Sequence, residues 1–182
     1  PSALEPGLPR NHFAQYAAMH KRCPAVKILL SIGGWTRCGY FSEMAHTPEG
    51  RAGFIKECLA LLRRRSWLAG LDIDWEYPAC ERKGNPADPD GDEGCCVFGT
   101  ETEDRENFVL LLAELRAAMD DAFGTGTKAL TACASGALMR YLNDTQKNSL
   151  KHIVSIRIQE KGDTMPLDAS TRRNLELTET IR

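Results

Sequence analysis

The sequence of 182 residues lacks most features that would set it apart from ordinary globular proteins. No apolar run approaches the roughly 18 residues that a membrane helix needs, so no membrane span is expected. No segment repeats at a fixed period and none is of low complexity, which sets aside solenoids, collagen, coiled coils and disordered chains. There is no G-x-x-x-x-G-K-[ST] loop to cradle a phosphate. Charge of one sign is also missing. The net charge of −2 and pI of about 6.1 hold no global attraction for nucleic acid or an anionic membrane. What is there is a one-domain length with 42% apolar and 26% charged residues, enough to bury a core without metals or disulfides.

Seven cysteines (Cys23, Cys38, Cys58, Cys80, Cys95, Cys96 and Cys133) include no C-x-x-C pair, so a structural zinc site is not expected. Cys80, Cys95 and Cys96 share one loop, where a disulfide in an oxidising compartment and free thiols stay open as alternatives. Cys58 and Cys133 read as small core residues. The chain opens on Pro1, from which a fragment or processed product is expected, with the compartment unreadable from a leader.

Strand, loop and amphipathic helix recur along the chain, the pattern of an α/β protein with a parallel sheet. Residues 10–22 read as a helix with Phe13, Tyr16, Ala17 and His20 at helical spacing. Val26 to Ile32 reads as a buried strand ending at Gly33-Gly34. Thr47-Pro48-Glu49 supplies an N-cap, an N1 proline and a first-turn acid. The helix behind them presents Phe54, Ile55, Cys58, Leu59 and Leu62. It ends in Arg63-Arg64-Arg65, which offsets the helix dipole or, as the alternative, binds an anion. Leu68 to Pro78 is the next strand, followed by a loop from Ala79 to about Thr102. Residues 79–107 hold nine acids against three basic residues, a local charge of −6 that repels nucleic acid. A second helix faces inward with Phe108, Val109, Leu111, Leu112, Leu115 and Met119, and Lys128 to Ala134 is a third strand. Beyond about Asn143 large apolar residues thin out; one half-buried strand with Val154, Ile156 and Ile158 is expected in an otherwise solvated tail.

The second strand carries the chemistry. In Gly70-Leu-Asp-Ile-Asp-Trp-Glu-Tyr-Pro78, alternation puts Asp72, Asp74 and Glu76 on one face and Leu71, Ile73 and Trp75 on the other. The apolar face must pack under helices, so the acids point into a sheet or barrel interior. Like charges at that spacing push one carboxyl pKa upward, which is what a general acid at neutral pH requires. A solvated sheet edge or an oxygen-ligated Mg²⁺ or Ca²⁺ site are the competing readings of these acids. The flanking helices argue against the first, and the missing phosphate loop weakens the second.

Ser31-Ile-Gly33-Gly34-Trp35 at one strand end, followed by Gly70 to Pro78 on the next, resembles glycoside hydrolase family 18, the chitinase-like family. The resemblance implies a (β/α)₈ TIM barrel, of which about three to four βα units are visible, with its site at the C-terminal ends of the strands. It implies hydrolysis of β-1,4-linked N-acetylglucosamine polymers (chitin) with retention, the substrate's own N-acetyl carbonyl attacking the anomeric carbon. By position, Glu76 is the acid/base, Asp74 orients the acetamido group, and Asp72 lies deeper and supports Asp74. Ser31, Gly33 and Gly34 shape the barrel floor beneath the substrate, and Tyr77 contacts it. Trp35 is a sugar-stacking platform or, equally, a core aromatic. The implied partner is chitin or a chitooligosaccharide outside the cell; no metal, organic cofactor, nucleic acid or membrane is implied.

Departures from the family pattern shape the remaining expectations. Ala69 stands where the motif's first aspartate is expected. No Met-x-Tyr-Asp motif follows, and no tryptophan occurs after Trp75. Residues 1–142 are therefore expected to be a partial catalytic barrel. Residues 143–182 are expected to be an atypical tail, frameshifted or disordered. The fragment is not expected to work as an enzyme alone. The rival class is a non-catalytic, lectin-like glycan-binding barrel: Ala69 favours it, while the glutamate at position 76, which family lectins typically lack, opposes it.

Overall fold

The computed structural model describes residues 12–88, 91–133 and 155–157. In chain order these form α1 (His12–Arg22), β1 (Leu29–Gly33), α2 (Phe41–His46), α3 (Pro48–Arg64), β2 (Gly70–Asp74), β3 (Arg82–Lys83), β4 (Gly94–Cys95), α4 (Glu101–Phe123), β5 (Ala129–Cys133) and β6 (Ser155–Arg157). Four strands make one sheet in the order β1-β2-β5-β6, every pair parallel, and β3 and β4 form a separate antiparallel hairpin.

The helices start where local chemistry stops the backbone from wasting donors. The Thr47 hydroxyl accepts from Gly50 N at 3.1 Å, and Pro48 occupies a first-turn position that needs no N–H. α4 opens with a reciprocal box: Thr100 Oγ1 accepts from Glu103 N while Glu103 Oε2 accepts from Thr100 N. Three acids in its first turn suit the positive end of the dipole.

The core lies on one side of the sheet. Leu71, Ile73 and Trp75 from β2 and its exit, and Leu130 and Ala132 from β5, meet Ile55, Cys58 and Leu62 of α3 and Phe108, Leu111, Leu112, Leu115 and Met119 of α4. The α4 residues follow helical spacing and are completely buried, each worth about 1.5–3 kcal/mol of removal from water. Trp75 stacks on Phe41 at 5.6 Å between ring centroids and meets the edge of Phe108 at 5.7 Å. The other side of the sheet carries Ser31, Asp72 and Thr131 in register across three strands.

The expected elements recur with shifted ends. β1 begins at Leu29 rather than Val26, because Val26 N bonds back to Cys23 O in a turn and its side chain stays exposed. β2 covers Gly70–Asp74 rather than residues 68–78, its ladder ending where Gly33 pairs with Asp74. The expected loop after Ala79 contains the β3–β4 hairpin, and α2 was not expected at all. A strand does lie at Ser155–Arg157; the remainder of the tail, the side chain of Cys133 and residues 10–11 of the first expected helix lie outside the described residues. Parallel strands joined through α2 and α3 and then through α4 are the βα units expected of part of a (β/α)₈ barrel.

Two neighbours on α4 test this packing. Phe108 is completely buried and Leu110 is 45% exposed. Phe108→Ala should cost about 3–5 kcal/mol in urea unfolding and Leu110→Ala less than about 0.5 kcal/mol. Equal losses would mean that α4 does not face the sheet this way.

Candidate active site

The site is built from the exits of β1 and β2. Asp72 and Asp74 are 3% and 6% exposed, so the acidic positions of β2 are inside the fold and not on a solvated edge. Burying a carboxylate is costly unless its oxygens find donors. Asp72 has one on each side: Ser31 Oγ donates to Oδ2 at 2.9 Å from β1, and Thr131 Oγ1 donates to Oδ1 at 2.5 Å from β5. One carboxylate thus joins three neighbouring strands.

Glu76 lies just past the end of β2, half-buried, and the Glu76–Tyr77 peptide bond is cis. The apolar residue before it is locked in the core as Trp75. Its own N–H donates to Cys38 Sγ at 3.1 Å. The same sulfur lies 3.0 Å from Gly34 O and 3.3 Å from Asp74 O, either of which accepts its proton. Burial pushes the Cys38 thiol up to about 12, against the opposing pull of the Glu76 N–H, so it stays protonated and able both to donate and to accept.

Gly33 and Gly34 make the close approach that lets the two strand exits meet. Gly34 N donates to Asp74 O at 2.7 Å. Gly33 has φ +106°, and a Cβ there would fall 2.6 Å from Asp74 O. Only glycine satisfies both conditions.

Behind Tyr77 the chain is held from the helix side. Ala79, at φ 61°, donates its N–H to Asp104 Oδ2 at 3.1 Å. Ser42 Oγ donates to Asp104 Oδ1 at 2.5 Å and accepts from Phe98 N at 2.8 Å. Burial raises the Asp104 carboxyl above its ordinary value, opposed by the Ser42 and Ala79 hydrogen bonds. Asp104 therefore anchors α2, the loop after β2 and the loop before α4 at one point.

Trp35 leaves the end of β1 and is 43% exposed, so it is not a core aromatic. Arg82 of the hairpin lies over its ring at 4.0 Å from the centroid. The Arg82–Asp92 pair is made at 2.6 and 2.8 Å, and the Arg82 hydrogen bonds hold the Asp92 carboxyl down at about 2. Because the folded value lies below the ordinary 3.8, the pair's support is complete above 3.8 and is lost as the pH falls through about 2.

The structure therefore brings together Ser31, Gly33, Gly34, Trp35, Asp72, Asp74, Glu76 and Tyr77 at adjoining strand ends. Thr131, Cys38, Asp104 and Arg82 were missed. Thr131 sits on the polar face of an expected strand, but only the register makes it a partner of Asp72. Cys80, Cys95 and Cys96 are free thiols, not a disulfide, and Cys95 is buried. Among the described residues no group of His, Cys, Asp and Glu side chains is arranged to hold a metal ion.

Thiol accessibility checks the packing under Glu76. Cys23 and Cys96 are exposed, whereas Cys38 and Cys58 are buried with thiols pushed up to about 12. Maleimide labelling read by peptide mass mapping should modify Cys23 and Cys96 in the folded protein, and Cys38 and Cys58 only in denaturant. Labelling of Cys38 as fast as Cys96 would contradict the geometry.

Three comparisons bear on this arrangement. In sequence, the chain is 36% identical over 110 residues to Chitinase 2 of Yersinia entomophaga, covering 60% of this chain and 16% of that protein. It is 34% identical over 133 residues to Chitinase A1 of Niallia circulans, covering 72% of this chain and 17% of that protein. In structure, it resembles the Ostrinia furnacalis Group IV chitinase crystallised with allosamidin, with a TM-score of 0.66 at 24% identity over 91% of this chain and 46% of that one. A chitinase-like agglutinin from Robinia pseudoacacia matches with a TM-score of 0.61 at 25% identity, over 87% of this chain and 43% of that one. The chain thus spans under a fifth of the length of these two curated relatives and just under half of these two solved chains. The family model for glycosyl hydrolases family 18 matches residues 3–158, and on that match the chain belongs to this family.

Proposed function

We propose that this chain is the acid-bearing part of a barrel that hydrolyses β-1,4-linked N-acetylglucosamine polymers with retention of configuration. The observation that carries the reading is the placement of Glu76. It stands at the C-terminal exit of a buried strand, directly after the buried Asp72 and Asp74, with its backbone fixed by Cys38. In family 18 that position belongs to the general acid.

In this mechanism Glu76 donates its proton to the glycosidic oxygen as the bond to the anomeric carbon breaks. The carbonyl oxygen of the substrate's own N-acetyl group closes on that carbon from the opposite face. Glu76, now a carboxylate, takes a proton from the water that opens the cyclic intermediate, and two inversions amount to retention. Asp74 orients the acetamido group and offsets the charge of the intermediate. Asp72, tied to Ser31 and Thr131, lies deeper on the same face and supports Asp74 by fixing the strand that carries it. Tyr77 and Trp35 contact the sugar, with Gly33 and Gly34 drawing the two strand exits together as the floor beneath it. A polymer of this class lies outside the cell, which supports reading the protein as extracellular. Among the described residues no helix is long and apolar enough to cross a membrane.

A second reading, glycan binding without turnover, draws on Ala69 and on the likeness to the Robinia pseudoacacia agglutinin. One substitution in the full-length protein separates the two. Glu76→Gln should lower hydrolysis of a chitooligosaccharide about 10²–10⁴-fold while binding by calorimetry is kept. NMR of the first product should show the β anomer. A wild-type protein that binds the oligosaccharide without turnover would establish the second reading, and unchanged turnover in Glu76→Gln would remove Glu76 from the mechanism.

A further inference from the structure

The exposed indole at the exit of β1 is fixed from behind by a segment that the family motifs do not include. The β3–β4 hairpin pairs Arg82 with Cys95 and Lys83 with Gly94. From it, the Arg82 guanidinium reaches Trp35 in two ways: its carbon lies 4.0 Å from the ring centroid, and Nη2 donates to the Trp35 carbonyl oxygen. Arg82 is itself gripped by both oxygens of Asp92, which is 8% exposed and also accepts from Gly94 N at 3.0 Å. The next two residues of the β1 exit are tied to the same hairpin. Glu93 N donates to Thr36 O at 3.0 Å, and Arg37 Nη1 meets Glu93 Oε1 at 2.9 Å.

This arrangement holds the indole from one side. A guanidinium lying over one face excludes that face from ligand, so the exposure that remains belongs to the opposite face and edge. A pyranose with axial C–H groups stacks on such a face. An indole that is already immobile spends no rotamer entropy when the sugar arrives. Lysine could not replace the arginine, because an ammonium has neither a plane to stack nor a fork for the carboxylate.

We propose that Arg82, held by Asp92, is a positioning residue that presents the outer face of Trp35 to an N-acetylhexosamine ring, so that the Arg82–Asp92 pair tunes the affinity of the site for its chain. This rests on the reading that Trp35 contacts the sugar.

The test uses full-length protein carrying Glu76→Gln, so that binding of penta-N-acetylchitopentaose is measured without turnover. Arg82→Lys should weaken binding about three- to tenfold, and Asp92→Asn should act in the same direction. In a Trp35→Ala background, Arg82→Lys should have no further effect, since its action runs through the indole. Acrylamide quenching of tryptophan emission should rise in Arg82→Lys, because a released Trp35 is more accessible. If Arg82→Lys fails to fold, Asp92→Asn carries both measurements. An equal loss in the Trp35→Ala background would make the hairpin a general structural support and overturn the proposal. So would unchanged quenching, or binding that is indifferent to Trp35→Ala. A parent protein that binds no pentasaccharide at all would instead overturn the functional reading of the site.

Discussion

A carboxylate buried between three strands needs hydrogen-bond donors from both sides, and the architecture of this protein depends on meeting that need. Asp72 has no solvent to turn to, and its two oxygens are served by hydroxyls on the strands to its left and right. A slip of β1 or β5 by one residue would turn Ser31 or Thr131 to the other face of the sheet and strand the charge. The bonds therefore act on register as well as on stability. A buried polar group costs more when unmet than it returns when met, so the correct pairing is separated from its alternatives by the penalty of each wrong one. The acids that follow inherit a strand whose position along the sheet is settled at Asp72.

The apolar side of the same strand supplies the complementary restraint. Leu71, Ile73 and Trp75 are completely buried, and Trp75 is held between Phe41 and Phe108 from two different helices. Because side chains alternate along β2, each residue that anchors the strand in the core stands next to one on the polar face. Glu76 is carried by a neighbour that cannot move, and its backbone N–H is occupied by a thiol from the exit of β1. Cleft and core are two sides of one strand.

Much of this was legible beforehand, for physical reasons that differ from element to element. α3 announces itself through Thr47-Pro48-Glu49 and an apolar face at helical period, and α4 through its apolar face alone, since its Thr100–Glu103 box lies in a stretch that reads as loop. The three acids were legible because a strand flanked by helices leaves its polar face only one direction to point. Strand ends were less so, since pairing stops where the neighbour stops and β1 fixes the end of β2. α2 is six residues long, too short for periodicity to show. Asp104 reads as one more acid in a helix's first turn, and only the fold reveals that it is 1% exposed and shared by Ser42 and Ala79. Arg82 and Asp92 lie in a stretch whose glycines, prolines and acids read as loop, so their pairing across the hairpin had no signal in the chain.

The backbone at Ala79 carries a consequence of a different kind. An alanine in the left-handed region costs about 1–2 kcal/mol that a glycine would not. Yet a glycine would also loosen the unfolded chain and let the turn after Tyr77 wander. At this one residue ease of folding and steadiness of aim select different amino acids. The side chain present belongs to the second choice, and the acceptor offered by Asp104 compensates for it. The conformation of the residue three positions beyond Glu76 and the acid in the first turn of α4 are therefore coupled: without the Asp104 acceptor the strain at Ala79 would stand uncompensated.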